Sequence, residues 1–229
     1  MVKRDDKDFI TMQDHHNQSD FQGGSDSERC LTEKDAMLAW IHWWRNGWRK
    51  RRHLSWPLPT ELLSFAYPLT ESASRETTDR FFGIAPVPAP YPAAGLITLI
   101  KLPQEKWSYL FKLCFSICAV GLPPPYFLAN IDDEKWCRRV AKGLKPGLWL
   151  PPYFACPEPD IYGIWLLRCW SIEPVWLRMR FCLDKNKVEA AEHPVVESPP
   201  LKRLSTLLQA VISRVDGRPL QENKNAKLP

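Results

Sequence analysis

Residues 39–56, AWIHWWRNGWRKRRHLSW, hold five tryptophans and five Arg or Lys side chains within eighteen residues. Three readings compete: a nucleic-acid grip, a helix lying on an anionic membrane surface, or a basic helix whose apolar face fills a core. At about 100° per residue, Met37, Trp40, Ile41, Trp44 and Trp48 share one helical face. Arg45, Arg49 and Arg52 form a second stripe, displaced around the helix by a quarter-turn or more. A stacking platform for nucleic acid needs aromatics and cations on the same face. A lipid-surface helix holds Trp at the headgroup level beneath its arginines. The displacement favours core packing for the tryptophans and leaves the arginines as a docking stripe for an acidic protein.

Composition points to a mainly helical chain with rigid joints. Its 229 residues suffice for one good core, and 22 Pro against 10 Gly cut helices short, because proline fixes φ and removes a backbone donor. The 11 Trp are then needed to fill the large gaps where short helices cross. The formal charge of +5 is unevenly spread. Residues 1–35 carry nine acids and five bases, which leaves about +9 on the rest of the chain. A body that basic attracts acidic partners but falls short of a dedicated nucleic-acid binder.

Residues 1–31 are too poor in apolar side chains to offset the entropy of ordering, and read as a disordered polar tail. Thr32-Glu-Lys-Asp resembles a capping box with Asp in place of Glu, and places a helix start near residue 33. Pro57 and Pro59 end that element, and 61–67 reads as a short helix closed by Pro68. A polar stretch over 69–80 leads into FFGIAPVPAPYPAAG (81–95), where Pro86, Pro88, Pro90 and Pro92 mark an extended connector.

Residues 103–120 and 161–170 are apolar on nearly all sides, the pattern of helices buried at a centre. Gly121 and three prolines stop the first of them. Asp132 or Asp133 caps a following short helix, with Trp136, Cys137, Val140 and Ala141 inward and Arg138 and Arg139 outward. PGLWLPPYFACPEP (146–159) is a second rigid connector. In 174–183, Val175, Leu177, Met179, Phe181 and Leu183 alternate with Trp176, Arg178, Arg180 and Cys182, the period of a strand. Ser198-Pro-Pro opens a last amphipathic helix with Leu201, Leu204, Leu207, Leu208, Val211, Ile212 and Val215 on one side. Residues 217–229 form a flexible tail. The expected architecture is a compact bundle of short helices over 32–216, joined by Pro-rich connectors, with at most a minor β element near 174–183.

Chemistry-bearing motifs are sparse. There is no C-x-x-C and no H-x-x-x-H, and Cys114 and Cys118, one helical turn apart, lack a third ligand nearby in sequence. The seven Cys lie mostly in apolar stretches and read as reduced core thiols. Neither a glycine-rich phosphate loop between strand and helix nor a G-x-S-x-G elbow is present, so no cofactor or catalytic residue is assigned and a non-enzymatic role is expected. An enzyme whose site assembles only in three dimensions is the contrasting hypothesis. The start MVKRDDKDFI lacks an apolar leader, and LCFSICAVGL (113–122) and IYGIWLL (161–167) fall short of the roughly 20 residues of a spanning helix. A cytoplasmic protein that meets membranes only through partners is expected.

From Gln104 onward the order of elements resembles the adaptor subunits of type III secretion sorting platforms, the SctK/YscK/OrgA-like proteins. The matching stretches are LFKLCFSICAVGL (110–122), WCRRVAKGL (136–144), EPVWLRMRFCL (173–183) and LKRLSTLLQAVISRV (201–215), with HLSWPLPTELLSF (53–65) as an earlier piece. They cover a little over half the chain. Family members carry a compact Phe/Pro/Tyr-containing segment at the front, where this chain is polar and acidic. The resemblance implies a linker in protein transport, joining the cytoplasmic domain of the inner-membrane ring protein to the pod protein. It assigns no contact residues. The candidates for those, Arg45, Arg49, Arg52, Arg138 and Arg139, come from charge and spacing alone, as does the alternative of a nucleic-acid module over 40–56.

Overall fold

A computed structural model describes residues 24–58, 71–118, 128, 130–151, 158–193 and 197–217. The chain divides into two units, Met1–Asp35 and Ala36–Pro229. Among the described residues every regular element is helical, as the composition leads one to expect. Helix α1 (Gly24–His42) runs into a π-helical turn (Trp43–Gly47) and the short α2 (Trp48–Lys50). There follow α3 (Glu71–Phe81), α4 (Leu96–Lys101), α5 (Glu105–Cys118) and α6 (Ile131–Leu144). Then come α7 (Pro159–Trp170), α8 (Glu173–Met179), α9 (Lys185–Glu192) and α10 (Leu201–Asp216).

The two helices that are apolar all round, α5 and α7, pack against each other at the centre. α6 and α10 cover α5, α9 and α10 cover α7, and α4 lies on α10. Gly163 makes the central crossing close: a Cβ there would sit 2.5 Å from Phe111 Cβ and 2.3 Å from Phe111 Cδ1. α10 turns Leu204, Leu207, Leu208, Val211, Ile212 and Val215 inward, all buried. Each full burial of such a side chain contributes about 1.5–3 kcal/mol.

A second arrangement holds the extended segment 84–93. Prolines donate no hydrogen bond, so its carbonyls must find donors elsewhere. Trp40 Nε1 donates to Pro90 O at 2.7 Å, Trp44 Nε1 to Val87 O at 3.1 Å, and Arg178 Nη2 to Ala85 O at 3.0 Å. The Arg178 guanidinium also stacks 3.7 Å from the Trp44 ring centroid and donates to Pro174 O at 3.0 Å. Burial pulls that guanidinium down to about 10, with the charge of Asp79 acting in the opposite direction.

Several local expectations give way to different physics. The anticipated strand over 174–183 is α8 followed by a 3-10 turn (Arg180–Cys182). Its buried set, Val175, Trp176, Arg178 and Met179, recurs at helical steps, and Pro174 sits in the first turn, where its missing N–H costs nothing. α1 begins at Gly24 rather than near residue 33, and passes straight through Thr32. Neither Asp132 nor Asp133 caps α6: Asn130 does, its side chain accepting from Asp132 N at 2.8 Å. The helix closes on Lys145 in the left-handed region (φ 48°). α10 starts after Pro200 without a side-chain cap, two residues beyond Ser198. The polar stretch 69–80 contains most of α3. Residues 1–23 of the expected tail, the helix at 61–67, the Gly121–Pro125 stop, 152–157 of the second connector and 218–229 lie outside the described residues.

Candidate functional site

The Trp/Arg stretch is folded around its own tryptophans. Trp40, Trp44 and Trp48 are buried as their spacing implies, and the π-helical turn brings Trp43 in beside them. Inserting one extra residue into the helical register advances the apolar stripe, so that four rings face inward instead of three. Trp40 and Trp43 stack with centroids 5.2 Å apart. Gly47 leaves room for this, since a Cβ there would come within 2.9 Å of Trp43 Cδ1. With these rings inside, none of the four is presented for base stacking or for a headgroup layer.

The arginines of the same stretch divide. Arg49 pairs with Asp79 of α3, and its guanidinium lies 4.6 Å from the Trp48 ring centroid. Burial lowers its pKa, the hydrogen bond and charge of Asp79 raise it, and the neighbouring Arg75 lowers it again. Arg51, absent from the candidate set, donates to Ile100 O and Leu102 O and ties α2 to the end of α4. Arg52 is half-buried, and Arg45 is exposed. The anticipated three-arginine stripe is therefore not a uniform surface: Arg49 belongs to a helix–helix contact.

Arg138 and Arg139 occupy a different element and a different setting. Arg138 and Arg139 are adjacent on α6, each three or four residues from Lys135 and Lys142, and all four are exposed. Arg138 reaches back to Glu134 at 2.5 Å, an exposed pair of the kind worth a few tenths of a kcal/mol and easily exchanged for a partner's carboxylate. Lys145 extends the basic face past the helix end. Arg203, at the start of α10, joins it by donating to Leu144 O at 3.4 Å. Leu148, three residues past Lys145, is 82% exposed, and Leu201, two residues before Arg203, is 59% exposed.

α6 is held in place from beneath by a buried acid. Asp133 is 0% exposed and accepts from Arg214 Nε at 3.1 Å and Nη2 at 3.0 Å, and from the Tyr109 hydroxyl. A carboxyl group at that depth requires such partners. No family model, curated protein or solved structure matches the chain. The site has to be judged on its own chemistry.

Cys114, Cys118, Cys137 and Cys182 are buried, and Cys169 is half-buried. Burial pushes the thiols of Cys118 and Cys182 up to about 12, which keeps them protonated and unreactive at neutral pH. Among the described residues no group of three or more His, Cys, Asp or Glu could hold a metal ion, and no helix is long and apolar enough to cross a membrane. What sequence reasoning missed was the extent of the α6 face. Lys135, Lys142 and Lys145 were legible at helical spacing around Arg138 and Arg139, whereas Arg203 is brought there only by the fold.

Proposed function

We propose that the chain is a non-enzymatic adaptor subunit of a type III secretion sorting platform, linking the cytoplasmic domain of the inner-membrane ring protein to the pod protein. The observation that carries this reading is the exposed basic face of α6, with Lys135, Arg138, Arg139 and Lys142 in one row. Arg138, Arg139 and Lys142 lie within WCRRVAKGL, one of the stretches on which the family resemblance rests, and Leu148 and Leu201 are exposed. Charge in such a row steers an acidic partner and sets its register, while Leu148 and Leu201 supply apolar anchors that arginines alone do not. The central α5–α7 pair and the leucine face of α10 give α6 a stiff support, as a linker between two larger bodies requires.

The test uses purified components. The full chain is mixed separately with the ring protein's cytoplasmic domain and with the pod protein, and followed by size-exclusion chromatography. Complexes are expected with both partners, weakening as salt is raised. With R138E/R139E, at least one complex should be lost while the circular dichroism of the chain is unchanged. A chain that stays monomeric with both partners at low salt overturns the assignment.

A further inference from the structure

The last four residues of the Trp/Arg stretch, 53–56, are tied to the approach and start of α9, far along the chain. His53 N donates to Phe181 O at 2.8 Å, and Trp56 Nε1 to Leu183 O at 2.8 Å. A third tie runs through a side chain: Lys185 N donates to Ser55 Oγ at 2.8 Å. Lys185 opens α9, so its N–H has no acceptor inside the helix, and Ser55 supplies one from outside. Asp184 supplies another at the same helix end, its Oδ1 accepting from Lys187 N at 3.1 Å.

His53 decides how Ser55 is held. Ser55 N donates to His53 Nδ1 at 3.2 Å, and Ser55 Oγ lies 2.7 Å from the same nitrogen. A backbone N–H can only donate, so Nδ1 carries no proton, the Ser55 hydroxyl donates to it as well, and the ring proton sits on Nε2. Hydrogen bonds therefore run one way, from Lys185 N–H to the Ser55 hydroxyl to His53 Nδ1. The second oxygen of Asp184, Oδ2, stands 3.8 Å from that nitrogen, an ion pair only when the ring is charged. Two cations from the elements packed against this turn, Arg180 and Lys185, lie over the Trp56 ring at 5.3 and 5.8 Å and are paired with Glu192 and Glu189. Arg51 and Arg52 precede His53 in the chain, and Arg51 is engaged by Ile100 O and Leu102 O.

From this arrangement we infer that His53 is an acid-sensitive latch with two positions. The neutral ring accepts from Ser55; the protonated ring turns to Asp184 and releases Ser55. A proton on Nδ1 sets two donors face to face, while the Asp184 carboxylate offers that nitrogen an acceptor instead. Ser55 is then no longer held in line for Lys185 N, and the tie to α9 weakens with it. The bonds to Phe181 O and Leu183 O contain no titrating group, so the turn stays in place and the change is local. The latch shares no residue with the α6 face and stands or falls independently of the adaptor reading.

Amide hydrogen exchange of the full chain, followed by NMR at about pH 7.5 and about pH 5.5 to bracket histidine titration and corrected for intrinsic rates, tests the latch. Protection of the Ser55 amide should fall about fivefold at the lower pH, with a smaller fall at Lys185 and none in α5 or α10. H53N puts an acceptor oxygen in place of Nδ1 and does not titrate, so its Ser55 protection should be equal at both pH values. D184N keeps a capping oxygen for α9 but removes the anion, so at the lower pH it should retain more Ser55 protection than the unaltered chain. Nitrogen spectra of the ring at the higher pH should place the proton on Nε2, a readout that needs no variant to fold. A proton on Nδ1 at the higher pH, Ser55 protection independent of pH in the unaltered chain, or an equal acid loss in H53N or D184N overturns the proposal.

Discussion

Two parts of this molecule solve the same packing problem by opposite means. At the α5–α7 crossing, stability comes from contact: Gly163 lets two apolar helices approach until Phe111 lies against the α7 backbone, and buried thiols and leucines fill the remainder. Around the extended segment 84–93 it comes from polar ties, with two indoles and one guanidinium donating to carbonyls of a proline-rich chain. The first region needs small and apolar residues at close quarters. The second needs large side chains with a donor at the tip, which explains why tryptophan and arginine are concentrated beside the prolines. Shape complementarity governs one half and hydrogen-bond satisfaction the other.

The sharpest way to break the first arrangement is G163A. Alanine is the better helix former by about 1 kcal/mol, but its Cβ meets Phe111 Cβ, which no rotamer change moves aside. Overpacking of this kind costs about 3 kcal/mol, for a net loss of about 2 kcal/mol in a urea titration. An increase in stability would mean that α5 and α7 are free to separate.

Raising the pH tests the same core through its thiols. Cys118 and Cys182 are held near 12 in the fold against 9 for a free thiol, chiefly by burial. Between those values the unfolded chain has lost protons that the folded chain retains, so stability falls as pH rises above 9. At one unit above the free value the loss is about 1 kcal/mol for each thiol. The raised pKa of Lys187, whose partners are Asp160 and Glu158, adds in the same direction only above 10.5. Arg178, lowered to about 10, acts oppositely, but only beyond that pH. Urea midpoints at pH 8 and pH 10 should therefore differ, with the lower value at pH 10.

The smallest expected effect falls on the polar half. W40F keeps a buried ring but deletes the donor to Pro90 O. It should cost about 1 kcal/mol and speed proteinase K cleavage within 84–93, with little change at α5 or α7. Equal protection of the segment in W40F would show that ring packing, not the indole donor, holds it.

The centre of the fold was legible because α5 and α7 leave no polar face, and a helix without one must be interior. The tryptophan stripe was legible for the same reason, apart from Trp43, whose burial depends on a π-helical turn that shifts the helical phase. Seven residues of α8 were too few to separate a period of two from one of 3.6, and the burial of Arg178, which decides between them, needs the Ala85 carbonyl from far away in the chain. α3 carries almost no apolar pattern: its buried side chain is Thr78, and its tie to the Trp/Arg stretch is Asp79 meeting Arg49 from thirty residues away. α9 did leave a signal, since Asp184 caps it by accepting from Lys187 N, with Val188 and Ala191 turned inward. At the candidate site, Arg138 and Arg139 could be read from the sequence as outward-facing. That Arg49 would instead turn to Asp79 could not, because nothing in the local pattern pairs 46–50 with 74–79.

The alternation of Pro86, Pro88, Pro90 and Pro92 has a further effect on how the protein meets its neighbours. Successive N–H groups of an extended chain point to opposite edges, so proline at every second position strips one edge of its donors. The carbonyls of Ala85, Val87 and Pro90 are already taken by internal donors. A segment that exposes Val87 and Tyr91 would otherwise be an inviting template for intermolecular strand addition. Here one edge lacks donors and three carbonyls are engaged, so an apolar strip can stay at the surface with fewer backbone groups on offer to a second chain.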